Sequence, residues 1–136
     1  MIPLRTDRLV RARPVVTWTL VALNSIIYVW DRQGSIFGPN IVFADLGMRP
    51  KEVVQAIQDA SNSGPIVTLF TSMFLHGGPL HILMNMIFIV VFGRAVEDAI
   101  GSVRYAVYYL AWGILASIAQ IYVMPSSSVP ILGASG

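Results

Sequence analysis

Three mainly apolar stretches place the strongest constraint on what this chain can fold into. Each is nearly free of charged side chains and is bounded by charges, glycine or proline. A helix that crosses the hydrocarbon core of a bilayer needs about 20 predominantly apolar residues, and each stretch reaches or approaches that length. The sequence therefore predicts an all-α, polytopic transmembrane helix bundle, with spans over residues 14–31, 79–98 and 103–124.

The composition also favours a membrane environment. Hydrophobic residues make up 55% of the 136 residues and charged residues 12%, about half the ~25% of a soluble globular domain. A chain this short cannot bury so much apolar surface in a core of its own, which disfavours a soluble enzyme. The absence of cysteine excludes a disulfide scaffold, a thiolate zinc site and a cysteine nucleophile.

The basic residues predict the orientation of the chain in the membrane. Four arginines precede the first span, namely Arg5, Arg8, Arg11 and Arg13. Because basic residues mark the cytoplasmic side of membrane proteins, we expect a cytoplasmic N-terminus. Residues 94–104 then face the cytoplasm, whereas residues 32–78 and 125–130 form outer loops. A fourth span is expected to begin at residues 133–136.

A cleaved signal peptide is the alternative interpretation of the first span, because its flank is basic and its apolar run is modest. The residues that follow lack a small-residue cleavage pattern, which favours a retained span. Because the sequence stops just as ILGASG opens a new apolar run, we expect residues 1–136 to be the N-terminal part of one longer membrane domain, from a truncated open reading frame.

The outer loop contains a predicted helix, PKEVVQAIQDA, which begins at Pro50. Val53, Val54 and Ile57 share one face of it, so the helix is expected to lie on the membrane surface or to pack on the bundle. The Gly64-Pro65 pair is expected to end it. A structural loop helix and a gating element are both compatible with this pattern.

His81 and Asn85 are the first candidates for chemistry. They lie four residues apart near the outer end of the second span, hence on one helical face, and polar groups inside a membrane are functional candidates by default. The alternative is that they hydrogen-bond neighbouring helices. His76 stands five residues before His81. Two histidines without a nearby carboxylate or cysteine make a poor zinc set, so no metal and no cofactor are expected.

Ser135 is the second candidate, within Gly133-Ala134-Ser135-Gly136. At the start of a helix, a serine between small residues has room for a substrate backbone, and its own N–H is one donor to a developing oxyanion. The alternative is a small-residue helix packing face. The predicted topology places Ser135, His81 and Asn85 in the same leaflet, which favours an acyl-transfer site.

These motifs occur together in one family. The stretch FTSMFLHGGPLHILMNMIFIVVFGRAVEDAIGSVRYAVYYLAWG, followed by GASG, closely resembles the rhomboid family of intramembrane serine proteases. The opening RPVVTWTLVALNSIIYVWD also resembles a rhomboid first span. The matching positions are His81 and Asn85, Gly93 and Glu97, Gly101, Gly113 and the G-x-S-G of Ser135.

The resemblance implies a role for each matching residue. Ser135 would be the nucleophile, and its backbone N–H with the side chains of His81 and Asn85 would form the oxyanion hole. His76 and Gly133 would support the site, and Glu97 with Gly93 would be structural. The family's general base, a histidine on the sixth span, has no counterpart in these 136 residues. Because a serine without a base is a weak nucleophile, the chain alone is expected to be inactive.

The resemblance also implies partners and a location. Substrates would be transmembrane proteins, cleaved near the outer face where a helix opens, and no nucleic acid is expected to bind. The location would be a bacterial or archaeal cell membrane. Two alternatives remain open: a catalytically inactive, client-binding rhomboid-like protein, and a small helical transporter or channel subunit, which would carry more ionisable residues inside its spans.

Overall fold

A computed structural model of the chain describes residues 13–37, 43–59 and 63–133. These residues form helices α1 (Val15–Asp31), α2 (Pro50–Gln58), α3 (Gly64–Phe74), α4 (Pro79–Ile100) and α5 (Ser102–Val123). Within the described ranges, β pairing is limited to one isolated antiparallel bridge between Met48 and Ile131. The predicted all-α membrane bundle is confirmed.

Helices α4 and α5 are long and apolar enough to cross a membrane. Each has 22 residues and therefore a length of about 33 Å, against about 30 Å of bilayer hydrocarbon. Helix α1, with 17 residues, and α3 are shorter apolar helices. Large apolar side chains such as Leu80, Val103 and Trp112 point outward from the bundle, as expected where the surrounding solvent is lipid.

Helix α4 runs antiparallel to both α1 and α5. Glu97, near the end of α4, contacts Val16 at the start of α1 and Ser102 at the start of α5. At the opposite end, the Arg32 side chain, just after α1, contacts the backbone before α4. These helices cover the ranges expected for the first three spans, whereas the assignment of residues 1–136 to one domain stays a prediction.

Two glycines allow close helix packing. A Cβ on Gly93 of α4 would overlap the Tyr105 hydroxyl of α5, and a Cβ on Gly113 of α5 would overlap the Met73 side chain of α3. Small residues let membrane helices approach in this way. The resulting core centres on a few buried side chains, namely Leu20, Met73, Phe74, Ile89 and Tyr105.

The helix predicted at Pro50 is present as α2, but its buried face differs from the expectation. Val53 and Ala56 are buried, whereas Ile57 is 68% exposed, so Ile57 does not share the buried face. Positions 53 and 56 lie one turn apart and face the bundle together, which rotates Ile57 away from it.

The expectation that Gly64-Pro65 ends the helix from Pro50 is wrong, because α2 already ends at Gln58 and a second apolar helix, α3, begins at Gly64. Proline is well tolerated in the first helical turn, where its missing N–H leaves no hydrogen bond unmade. The outer loop therefore carries two helices, and α3 packs Met73 and Phe74 into the core.

Candidate active site

His81 and Asn85 lie in the first two turns of α4. Pro79 opens the helix after the extended Gly78, so the two side chains project from a helix whose start is sharply defined. Both are half-buried. Their four-residue spacing places them on one face, as predicted.

Gly133 brings the segment that leads to Ser135 against this face. A Cβ built on Gly133 would lie 2.9 Å from His81 Nε2 and 3.2 Å from Asn85 Nδ2. The φ angle of Gly133 is +89°, a conformation that favours glycine. Ser135 lies outside the described residues, as do the other residues after Gly133. The described structure thus brings three of the predicted site residues together.

Backbone hydrogen bonds hold the segment before Ser135 in place. Gly133 N–H donates to the Ser72 carbonyl at 2.8 Å, at the end of α3. Ile131 and Met48 exchange both of their N–H···O bonds, at 2.8 and 3.2 Å. The segment between α1 and α4 therefore supports Gly133 at two points, one at the end of α3 and one at Met48 before α2.

A cavity of about 670 Å³ extends from this site along α4. His76, His81 and Asn85 contribute polar groups at the end that faces Gly133. Its other lining residues are mainly apolar or aromatic and lie on α4 and α5, namely Met84, Phe88, Ile89, Phe92, Gly93, Val96, Tyr105 and Tyr109. A mostly apolar cavity with a few convergent polar groups is the usual form of a binding site.

Two donors face the site. Asn85 Nδ2 is buried and has no hydrogen-bond partner among the described residues. His81 Nδ1 accepts a long hydrogen bond of 3.4 Å from the Gly77 N–H. A ring nitrogen that accepts a hydrogen bond carries no proton, so this bond assigns the ring proton to Nε2, the atom that faces Gly133.

His76 is a buried, neutral neighbour of this pair. Its side chain is 2% exposed, and its ring centroid lies 5.2 Å from that of His81. Burial, together with the nearby His81, lowers the pKa of His76 to about 4, although the Phe74 backbone acts in the opposite direction. A group with so low a pKa is a poor proton acceptor at neutral pH, in agreement with a supporting role.

Arg32 is a site residue that the sequence analysis did not identify. Its guanidinium donates to the Gly77 and His76 carbonyls at 2.7 and 3.2 Å. It is the first residue of the predicted outer loop, residues 32–78, and belongs to none of the motifs that point to the site. A charged residue directly after the first span, beside Asp31, is the only local signal that could have drawn attention to it.

Across the described ranges, no group of three or more His, Cys, Asp or Glu side chains could hold a metal ion. The carboxylate nearest to the site in sequence, Glu97, lies at the far end of α4 and is occupied by hydrogen bonds from α1 and α5. The polar groups at the site end of the cavity are the rings of His76 and His81 and the amide of Asn85, which suit hydrogen bonding to a substrate.

Comparisons with known proteins agree on one family. A model of the rhomboid domain matches residues 63–136. The protein named "RHOMBOID-like protein 6, mitochondrial" from Arabidopsis thaliana is 39% identical over 69 residues, 50% of this chain and 22% of that protein. The protein named "Putative rhomboid protease YdcA" from Bacillus subtilis (strain 168) is 28% identical over 127 residues, 93% of this chain and 58% of that protein. No solved structure matches the chain significantly.

The matched region contains every site residue predicted from the motifs. It starts before α3, includes His76, His81 and Asn85, and continues through Ser135. The chain spans 22% and 58% of the lengths of the two relatives. Since the rhomboid model matches more than half of the chain, in the part that forms α3, α4 and α5, this chain is a membrane protein of the rhomboid family.

Proposed function

We propose that this chain carries the nucleophile and the oxyanion hole of an intramembrane serine endopeptidase. The observation that carries the proposal is the approach of Gly133 to His81 Nε2 and Asn85 Nδ2. Ser135 follows Gly133 by two residues, which span at most about 7 Å, so it is within reach of both donors. A nucleophile beside two preorganised donors is the arrangement that acyl transfer requires.

The proposed reaction follows from these roles. Ser135 Oγ attacks the carbonyl carbon of a substrate peptide bond and gives its proton to a general base. The carbonyl oxygen becomes an oxyanion, stabilised by the Ser135 N–H, His81 Nε2–H and Asn85 Nδ2–H. The C–N bond then breaks, the amine leaves with a proton, and water hydrolyses the acyl-enzyme to release the carboxylic acid.

Neither of the two histidines of this sequence is the general base in this proposal. His81 serves as a donor, and His76 has a pKa of about 4. In the family pattern the base is a histidine on the sixth span. The proposal therefore concerns a full-length protein that contains this sequence, and we expect the 136-residue chain alone not to cleave substrates.

The position of the site suggests the class of substrate. His81 and Asn85 lie within about 9 Å of the start of α4, measured along the helix axis. With a cytoplasmic N-terminus, in a bacterial or archaeal cell membrane, that end of α4 faces outward. The substrates would be transmembrane proteins whose helix opens near the outer face, because a regular helix keeps its carbonyl groups in internal hydrogen bonds.

Replacement of Ser135 tests the proposal. In the full-length protein, Ser135→Ala should abolish both peptide cleavage and labelling by a fluorophosphonate probe, whereas membrane insertion should persist. Ser128→Ala, at an exposed loop position, is the matched control and should keep both activities. Equal labelling of the wild type and Ser135→Ala would show that Ser135 is not the nucleophile. A monodisperse wild-type protein that neither cleaves nor reacts would instead indicate an inactive, client-binding protein.

A further inference from the structure

We propose that Arg32 is a positioning residue that fixes the tautomer and the orientation of the His81 ring through the turn at Gly77. The chain of contacts is direct. Arg32 Nη2 donates to the Gly77 carbonyl at 2.7 Å, and the Gly77 N–H donates to His81 Nδ1 at 3.4 Å. The peptide groups of one glycine therefore connect the end of α1 to the candidate oxyanion hole.

The Arg32 side chain is itself held in place. It is 4% exposed, its guanidinium lies 5.2 Å from the centre of the Tyr28 ring, and its Nε is 4.0 Å from Asp31 Oδ2. A planar guanidinium between an aromatic ring and a carboxylate has little freedom to rotate. Its Nη2 can therefore fix the two carbonyl groups that it contacts.

The turn that Arg32 holds has no regular helix to stabilise it. His76, Gly77 and Gly78 lie between α3 and α4, and Arg32 accounts for hydrogen bonds to the first two carbonyls. Without the guanidinium, these buried or half-buried carbonyls would lose a charge-assisted donor. The orientation of the Gly77 N–H would then be free to vary, and with it the bond to His81.

The tautomer of His81 decides what the ring can do. With Nδ1 as acceptor, Nε2 carries the proton and points a donor toward Gly133. In the other tautomer, Nε2 would present a lone pair, which repels a developing oxyanion. The consequence for catalysis rests on the proposed function, whereas the link from Arg32 to the tautomer does not.

The tautomer can be measured without any catalytic activity. The sequence contains two histidines, so ring-¹⁵N-labelled protein gives few resonances, and His76→Gln assigns them. In the wild type we expect a single His81 species with the proton on Nε2. Arg32→Gln should give a mixture of tautomers, and Arg32→Lys should restore part of the wild-type population. Arg49→Gln, which removes a cation from ion pairs with Asp45 and Glu52, is the control and should change nothing.

A second pair of variants tests the same link from its other end. Gly77→Pro removes the N–H that donates to His81, whereas Gly77→Ala keeps it. The Cβ of alanine would lie 3.8 Å from Leu132 Cδ1 and 3.9 Å from His81 Nδ1, which are ordinary contacts. We expect mixed tautomers in Gly77→Pro and the wild-type tautomer in Gly77→Ala. This pair also decides the question if Arg32→Gln does not fold.

A wild-type tautomer in folded Arg32→Gln, or in Gly77→Pro, would overturn the proposal. In the full-length protein, Arg32→Gln should lower kcat by up to about 100-fold, the scale on which small misplacements act, with little change in KM. A shifted tautomer without any loss of kcat would leave the positioning intact and contradict the oxyanion role of His81. The two failures are therefore distinguishable.

Discussion

The lack of a side chain at Gly133 is what lets the chain at this residue approach α4. Any Cβ there would press on the His81 ring and the Asn85 amide, and the φ angle of +89° adds backbone strain for other residues. The G-x-S-G motif thus has a geometric reason at its first glycine. Asn85 Nδ2 lies beside Gly133 as a buried donor without a partner among the described residues, which suits the proposed role of oxyanion donor.

Replacement of Asn85 distinguishes an oxyanion donor from a residue that only stabilises the helix bundle. In the full-length protein we expect Asn85→Ala to lower kcat by about 10²–10³, because losing one oxyanion donor typically costs about 3–4 kcal/mol in the transition state. The KM and the melting temperature should change little. His81→Ala should lower kcat at least as much, since the ring also fills space beside Gly133.

The controls for Asn85 concern folding. A hydrogen bond that only ties membrane helices together contributes about 0.6 kcal/mol on average. A variant of Asn85 that melts much earlier yet retains near-normal kcat would assign this amide to the scaffold. Samples should be matched for monodispersity before turnover is compared.

Among the helices, α4 carries polar groups at both of its ends. Residues Ile89–Gly93 form a π-helical segment between them. An unbroken α-helix would rotate the side-chain direction by about 120° between Asn85 and Glu97, whereas one inserted π residue reduces this to about 20°. The π segment therefore turns Ile89, Gly93 and Glu97 toward the interior together, and all three are buried.

Glu97 supplies the cap that α1 lacks. Pro14, at the N-cap position, makes no side-chain cap bond. The Glu97 carboxylate instead accepts from Val16 N–H at 2.9 Å, from Thr17 N–H at 2.8 Å and from Thr17 Oγ1 at 2.7 Å. It also accepts from Ser102 Oγ at 2.6 Å. A carboxylate is favourable at a helix N-terminus, where unpaired N–H groups and the helix dipole present positive charge.

We expect Glu97→Gln to lower the free energy of unfolding by about 1.5–3 kcal/mol, the range for hydrogen bonds to charged groups. The glutamine side chain would place an NH₂ group among the N–H and O–H donors that now bind the carboxylate. It would also remove the negative charge at the N-terminus of α1. Unfolding in mixed detergent micelles measures the effect. Asp98→Asn is the matched control, because it removes a neighbouring carboxylate but none of these four bonds, and it should cost much less. Equal losses in both variants would contradict the capping role.

Across the whole molecule, the antiparallel helices separate two ends with different chemistry. One end carries exposed Arg13, Arg94 and Arg104 around Glu97, and the other carries the candidate active site. The arginines suit the cytoplasmic side of a membrane. Helices α2 and α3 pack near the opposite end, so the site lies beside them.

Cysteine labelling tests this orientation on a chain without native cysteines. We expect Ala99→Cys, exposed near the end of α4, to resist a membrane-impermeant thiol reagent in intact cells and to react after lysis. Ser128→Cys, exposed in the loop after α5, should react in intact cells. The reverse pattern would invert the proposed topology and place the site at the cytoplasmic face.

The amino-acid sequence predicts the three apolar helices α1, α4 and α5 and the shared face of His81 and Asn85. A membrane span must satisfy its backbone hydrogen bonds internally, so a long apolar run already implies a helix, and the four-residue spacing of His81 and Asn85 already places them side by side. The position of Gly133 against this pair agrees with the single leaflet that counting spans predicts for the G-x-S-G motif. The sequence pattern does not predict α3, because Gly64-Pro65 indicates the end of a helix, although proline is also common in the first helical turn.

The tertiary structure decided which distant residues meet. Glu97 caps a helix that begins about 80 residues earlier in the chain, and Arg32 reaches a carbonyl 45 residues away. Neither contact leaves a periodic pattern, because each depends on where whole helices lie relative to one another. Hydropathy and spacing relate residues that are near neighbours along the chain. A buried charge needs hydrogen-bond partners, and the packing of whole helices decides which distant residues provide them.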